Sequence, residues 1–299
     1  MEHAARCSKT RRKNQYSSTT TIRKYSNKSA LKTLDGPVST DITKKAAILF
    51  EGTSLIPTEA NLCDIPPHTP HFPLITEDEI TRTINNIPNK KAAGPDKIPN
   101  ELLKIANTTI VPHLAPLFNA CLQAHHFPAQ WKQAITVIIK KSAKEDYTTP
   151  NAYHPIALLK TLSKLFEKII NNRLIYWAEQ TKTIHPGHVG GRLGRSINDA
   201  FTMLSTWIHH KWQEKKIVIG AFLDFKSAYP MVHKKRLIHS LLVKNFPPYL
   251  YLIIDSFLTD RTTKLCLDQY TLHAFNIPTG LPQGSPLSVT HYLLIPGPP

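Results

Sequence analysis

Residues 217–232, Ile-Val-Ile-Gly-Ala-Phe-Leu-Asp-Phe-Lys-Ser-Ala-Tyr-Pro-Met-Val, constrain this chain more than any other stretch. The run from 217 to 223 is apolar or small and rich in β-branched side chains. That suits a strand buried on both faces, with a buried helix segment left open by pattern alone. It ends in Asp224. A carboxylate at the end of a buried strand is costly unless it is paired or bound to a metal. A cap for a helix starting near Lys226 is the plainer account.

The remaining chain helps to choose. With 299 residues it can form one large domain or two ordinary ones. No apolar run of 18 residues is present, so no membrane partner is expected. The 37 basic residues against 21 acidic ones give a net charge of +16. Such an excess points to a polyanion, most simply nucleic acid, with a solvated basic surface or tail as the alternative. Cys7, Cys63, Cys121 and Cys266 lie far apart without a C-x-x-C pair, which fits reduced intracellular thiols rather than zinc or disulfides. The histidines show no H-E-x-x-H spacing.

Residues 1–34 hold nine basic residues and one acid, Glu2, with few apolar anchors, and are expected to form a disordered basic arm. A mitochondrial transit peptide has related chemistry, but the amphipathic pattern is weak. Residues 35–75 are proline-punctuated and predict a linker with one helix near 43–50. Thr76 and Glu79 make a capping box ahead of an apolar face of Ile80, Ile84 and Ile87. Further helices are expected over 100–105 and 114–124, and a strand over 131–139 followed by a basic turn. A proline-bounded segment, 153–159, enters the strongest helical pattern of the chain, with Leu162, Leu165, Phe166, Ile169, Ile170 and Leu174 on one face. Gly190-Gly-Arg-Leu-Gly-Arg195 lacks dinucleotide and Walker spacings; its arginines could approach a phosphate backbone, or the glycines could simply make a turn. Helices over 234–244 and 250–258 and a hairpin of 263–267 with 272–277 complete the pattern.

Five segments, taken in order, resemble the reverse transcriptase domain of non-LTR (LINE-type) retrotransposons, over about residues 35–294. They are Lys91-Ala-Ala-Gly-Pro-Asp-Lys-Ile-Pro-Asn-Glu-Leu-Leu-Lys104; Tyr153-His-Pro-Ile-Ala-Leu-Leu159 with the K-x-x-E-K tail at 164–168; Gly190 to Ala200; Phe222-Leu-Asp-Phe-Lys-Ser-Ala-Tyr229, the A motif; and Gly280-Leu-Pro-Gln-Gly-Ser-Pro-Leu-Ser288, the B motif. Each is weak alone, whereas five in register make a strong signal.

The resemblance implies an α+β, right-hand polymerase architecture: a disordered basic arm (1–34), a linker (35–75), mostly helical fingers (76–215) and a partial palm (216–299) with an incomplete antiparallel sheet. It implies two-metal nucleotidyl transfer with Mg2+ or Mn2+, an RNA template, a DNA primer and dNTP, and a nuclear or cytoplasmic location. By resemblance, Asp224 is the catalytic metal ligand, aided by the Phe225 carbonyl. Tyr229 packs under the sugar to reject a 2′-hydroxyl, and Gln283 touches the incoming nucleotide and template. Lys140 or Lys141 meets the triphosphate, with His154 nearby. Arg192, Arg195 and Gly284 serve the nucleic acid.

The chain also departs from the family. His154 stands where the family has arginine, exchanging a fixed cation for one mostly neutral at pH 7. Pro230 replaces a frequent second Asp, and Ser142-Ala143 replaces a Pro-Gly turn. No Asp-Asp pair occurs in the sequence, so the family's C motif is missing. The expectation is therefore a truncated, inactive polymerase of marginal stability with an open edge beside residues 217–225. The alternative is a non-catalytic nucleic-acid-binding remnant.

Overall fold

Helical periodicity carries through to the structure. The computed structural model describes residues 72–222, 224, 228–267 and 270–294, together with the backbone of two short paired strands, β1 (Leu31–Lys32) and β2 (Val38–Ser39). The rest of the expected arm and linker, the helix expected at 43–50, and Phe225 and Lys226 lie outside the described residues. Eight α-helices follow among those residues: α1 (Glu77–Asn86), α2 (Asn100–Ile105), α3 (Asn107–Gln123), α4 (Thr161–Gln180), α5 (Ile197–Gln213), α6 (Lys234–Val243), α7 (Pro248–Leu258) and α8 (Pro286–Leu294). Four longer strands accompany them: β3 (Gln133–Lys140), β4 (Tyr153–Leu159), β5 (Arg261–Leu267) and β6 (Tyr270–Ile277). No helix among the described residues is long and apolar enough to cross a membrane.

The apolar face of α4 is the centre of the core. Phe166 stacks on Phe118 of α3 at 4.9 Å and meets Phe127, which in turn packs edge-on against Phe257 of α7 at 5.0 Å. Burying such rings supplies most of the driving force that joins α3, α4 and α7. The capping box at Thr76 forms only on one side. Thr76 Oγ1 accepts from the Glu79 N–H at 3.2 Å, but the Glu79 carboxylate turns to Arg173 of α4, 2.9 Å from Nε and 2.6 Å from Nη2. A bidentate charged pair outweighs a reciprocal cap bond.

The sheet order is β4-β3-β5-β6. It is mixed, not the wholly antiparallel sheet expected: β3 and β5 run parallel, with Ala134 opposite Thr263. The connection between them carries α4 to α7, long enough for a crossover, so both strands enter the sheet from the same end. Segment 153–159 is a full strand in spite of Pro155. As the edge strand, β4 can present the position lacking an N–H outward, away from β3.

Residues 217–222 form no strand, contrary to the expectation from their composition. Ile217, Ile219 and Phe222 are 91%, 90% and 89% exposed. β-propensity describes how well side chains fit a pleated, half-buried surface, and none of the four-stranded sheet's members pairs with this run. Without ladder partners the apolar composition has nothing to act on. Of the helix expected near Lys226, residues 226 and 227 lie outside the described residues, whereas 228–231 form a turn and α6 begins at Lys234. Helix α5 likewise buries no residue, leaving Phe201 and Trp207 exposed. Apolar surface on this scale promotes association. Ile219→Ser combined with Phe222→Ser is expected to reduce binding of an apolar fluorescent dye and concentration-dependent light scattering, with the melting temperature unchanged. Undiminished dye binding and scattering would count against this surface.

Candidate active-site scaffold

Three motifs that lie far apart in sequence meet around the turn at 228–231. The Tyr229 carbonyl accepts from the Leu281 N–H and the Val232 carbonyl from the Gly280 N–H, both at 2.9 Å. These bonds tie the end of the A motif to the start of the B motif. Gly280 has φ +78°, and a Cβ there would stand 2.7 Å from the Pro230 carbonyl oxygen, so the two backbones approach more closely than a side chain allows. One step on, the Gln283 carbonyl accepts from the Ala157 N–H of β4 at 2.7 Å. The B-motif loop thereby occupies an outward-facing donor of the edge strand.

The lower side of this loop rests on a buried polar cluster. Ser285 Oγ donates to Glu167 Oε2, Ser163 Oγ donates to Glu167 Oε1 at 2.6 Å, and Ser288 Oγ donates to the Pro282 carbonyl at 2.7 Å. Burial pushes the Glu167 carboxyl up to about 7, against the lowering effect of the two serine hydroxyls. Arg261, at the start of β5, donates through Nη2 to the carbonyls of Thr279 and Gly280, while its Nε has no partner among the described residues. His291 of α8 is fully buried, both ring nitrogens lack a partner among the described residues, and burial drives its pKa down to about 3.

The sequence reading places Glu167 in the K-x-x-E-K tail and Ser285 in the B motif without giving either a role, and it passes over Arg261 and His291. For Glu167 and His291 the helical pattern also carries a signal. Glu167 falls on the apolar face of α4, between Ser163 and Ile170, and His291 falls between Leu287 and Leu294 on the buried face of α8. A titratable residue on an otherwise apolar stripe marks a buried polar contact.

The residues singled out from sequence divide into groups. Tyr229 is hydrogen-bonded to Leu281, two residues before Gln283, and it packs against Tyr292 of α8 with ring centroids 5.7 Å apart. Asp224 is exposed. Phe225 lies outside the described residues. Lys140 and Lys141 sit at the β3 end, Lys140 over the Tyr147 ring at 5.1 Å and Lys141 Nζ on the Asn151 carbonyl at 2.9 Å. Lys140 lies opposite Tyr153 and His154 opposite Ile139, so strand alternation puts Lys140 and His154 on opposite faces. Gly284 has φ +129° and its α-carbon faces the Ala157 carbonyl. Arg195 is exposed in the glycine loop.

Arg192 is engaged within the protein. Its Nε and Nη2 reach Glu179 at 2.8 and 2.6 Å, and Nη1 donates to the carbonyls of His185 and His188 at 3.1 and 3.0 Å. The guanidinium closes the 185–192 loop onto α4 and leaves little donor capacity for a phosphate.

No group of three His, Cys, Asp or Glu side chains that could hold a metal occurs among the described residues. A two-metal site needs several carboxylates around hard cations, and no such group forms around the expected ligand Asp224 among the described residues. The described residues alone do not fit that group.

The family profile described as reverse transcriptase (RNA-dependent DNA polymerase) matches residues 138–295. The RNA-directed DNA polymerase from mobile element jockey of Drosophila melanogaster is 33% identical over 218 residues, covering 73% of this chain and 24% of that protein. The probable RNA-directed DNA polymerase from transposon BS of the same species is 32% identical over 222 residues, with the same coverages of 73% and 24%. The retrovirus-related Pol polyprotein from type-1 retrotransposable element R1 of Bradysia coprophila is 30% identical over 157 residues, covering 52% of this chain and 15% of that protein. The chain thus spans about a quarter of the length of its first curated relatives.

Proposed function

We propose, for a chain that belongs to the reverse transcriptase family of non-LTR retrotransposons, that it supplies the nucleotide- and template-facing part of an RNA-directed DNA polymerase. The observation that carries this reading is the backbone junction of the A motif, the B motif and β4 at Tyr229, Leu281, Gln283 and Ala157. It holds Tyr229 and Gln283 on neighbouring backbone segments, where one could border a sugar and the other a base. Lys140 and Lys141 balance triphosphate charge from the end of β3, with His154 across the hairpin. Arg195 takes the template backbone together with Gly284's close approach, while Arg192 orders the loop that carries Arg195.

Family membership implies divalent metal use. In this reading Asp224 and the Phe225 carbonyl are the chain's contribution to that site, and the other carboxylates come from outside the described residues. RNA template, DNA primer and dNTP are the proposed partners.

A second reading, nucleic-acid binding without catalysis, is favoured by the net charge of +16. One experiment separates the two. Binding of an RNA–DNA template–primer is measured against salt, alongside metal-dependent primer extension. Both readings expect affinity to fall steeply as salt rises, and Arg195→Ala to weaken binding without changing stability. If the chain contributes to catalysis, extension is detectable and Asp224→Asn abolishes it while binding is retained. Absent extension with intact, salt-sensitive binding selects the second reading, and salt-insensitive binding removes both.

A further inference from the structure

Between the β3–β4–β5 face and the 280–283 loop lies a cavity of about 110 Å³. Its wall is mostly apolar, with threonine hydroxyls, and it carries two cations, Lys132 and Arg261; among the described residues no Asp or Glu lines it. Both cations are deeply buried, Lys132 at 8% exposure and Arg261 at 4%.

Neither cation has a salt bridge among the described residues. Of the carboxylates that act on Lys132, Asp260 and Asp255, the latter is paired with Lys234 at 3.0 Å. The carboxyl that acts on Arg261 is Glu167, which is held by two serines. His291 also lies within Arg261's field, and burial keeps it neutral, so it adds no further positive charge. Arg261 gives Nη2 to two loop carbonyls and leaves Nε unpaired.

Two buried cations on one wall are costly to desolvate, and the carboxylates that act on them, Asp260 and Asp255 on Lys132 and Glu167 on Arg261, are not part of the cavity lining. Burial lowers the pKa of both groups, Arg261 to about 10, in spite of the carboxylates that raise them. The cavity exceeds by several-fold the ~10–15 Å³ needed for one water, so it has room for a small polyatomic ion. Its low-dielectric wall strengthens attraction to any anion that enters.

We propose that this cavity is a binding site for one tetrahedral oxyanion of the phosphate or sulfate class, held between Lys132 and Arg261 beneath the B-motif loop. The anion supplies the missing counter-charge and an acceptor for Arg261 Nε. Because Arg261 also donates to the Thr279 and Gly280 carbonyls, anion binding braces the base of the loop that presents Gln283. This site is separate from the proposed triphosphate contacts at Lys140 and Lys141, which lie at the far end of β3 from Lys132.

The test is calorimetric titration of the full chain with inorganic phosphate in a chloride buffer at constant ionic strength, with a parallel thermal-shift series. Saturable binding of one phosphate per chain is expected, with a melting temperature that rises as phosphate is added. Lys132→Gln should weaken binding at least tenfold, Lys132→Arg should restore it to within a few-fold, and Lys264→Gln on the exposed face of β5 should leave it unchanged. Circular dichroism confirms that each variant is folded. Titration with pyrophosphate and with dNTP in Lys140→Gln separates a fingertip phosphate site from this one. Non-saturable phosphate binding overturns the proposal. So does binding that survives Lys132→Gln, or that is lost in Lys140→Gln and retained in Lys132→Gln.

Discussion

Replacing Gly284 by alanine is expected to lower the stability of the folded chain by about 2–4 kcal/mol, summing backbone strain and overpacking. Gly284 has φ +129°, a conformation that L side chains rarely adopt. A Cβ at this position would also overlap the Ala157 carbonyl oxygen, which is main chain and has no rotamer by which to withdraw. The neighbouring bond from Ala157 N–H to the Gln283 carbonyl, 2.7 Å long, holds the two segments at that separation. Relief therefore means pulling the loop off β4, which takes Gln283 with it. Urea unfolding of the two proteins under the same conditions measures the loss. Gly194→Ala is the internal control: Gly194 also has a positive φ, but nothing stands within 4 Å of its added Cβ, so only the backbone contribution of about 1 kcal/mol should appear. Equal losses at the two positions would show that the approach to β4 does not hold the loop.

The second large effect concerns pH. Glu167 has a folded pKa of about 7 against a reference of 4.5, so the folded chain keeps a proton that the unfolded chain releases. Its contribution to stability is complete below pH 4.5 and is lost as pH rises through 7. His291 behaves oppositely. Its folded pKa of about 3 lies below the reference of 6.5, so its contribution is complete above pH 6.5 and is lost as pH falls towards 3. Between pH 4.5 and 6.5 the two slopes have opposite signs and nearly cancel. Each alone can reach about 1.4 kcal/mol per pH unit. Unfolding free energies at pH 5 and pH 6 should therefore rise with pH in Glu167→Gln and fall with pH in His291→Leu, relative to the parent chain. Other titrating groups contribute a common background that drops out of the difference between the two variants. His291→Leu should also be about 1–3 kcal/mol more stable at pH 5, because two buried, unpaired nitrogens are removed. Parallel pH profiles in the two variants would disprove the opposition of these groups.

The long helices and the order of the motifs were legible in the amino-acid pattern. The apolar stripe of α4 needs only a 3.6-residue period and a core to face, and it extends over Thr161–Gln180. Asn100–Ile105 is a helix as expected, and the Gly190–Arg195 loop opens α5 with Ser196 as its cap. Five motif segments in register point to the reverse transcriptase family, and the comparisons agree. These features depend on near neighbours in the chain, so local pattern suffices to find them.

Tertiary structure decided the rest, because pairing and burial depend on residues distant in sequence. The run 217–222 has the composition of a buried strand and is exposed, since a strand exists only with a ladder beside it. β3 and β5 pair in parallel from positions more than 120 residues apart. Arg192 has the surroundings of a phosphate-binding loop arginine, yet Glu179 and the carbonyls of its own loop take up its guanidinium. Glu167, Arg261 and His291 become a cluster only when α4, β5 and α8 converge under the B-motif loop. Sequence determined which segments could be helical and which chemistry the motifs carry. The fold decided which charges share a cavity, because in a low-dielectric interior a group's energy is set by what surrounds it rather than by what it is.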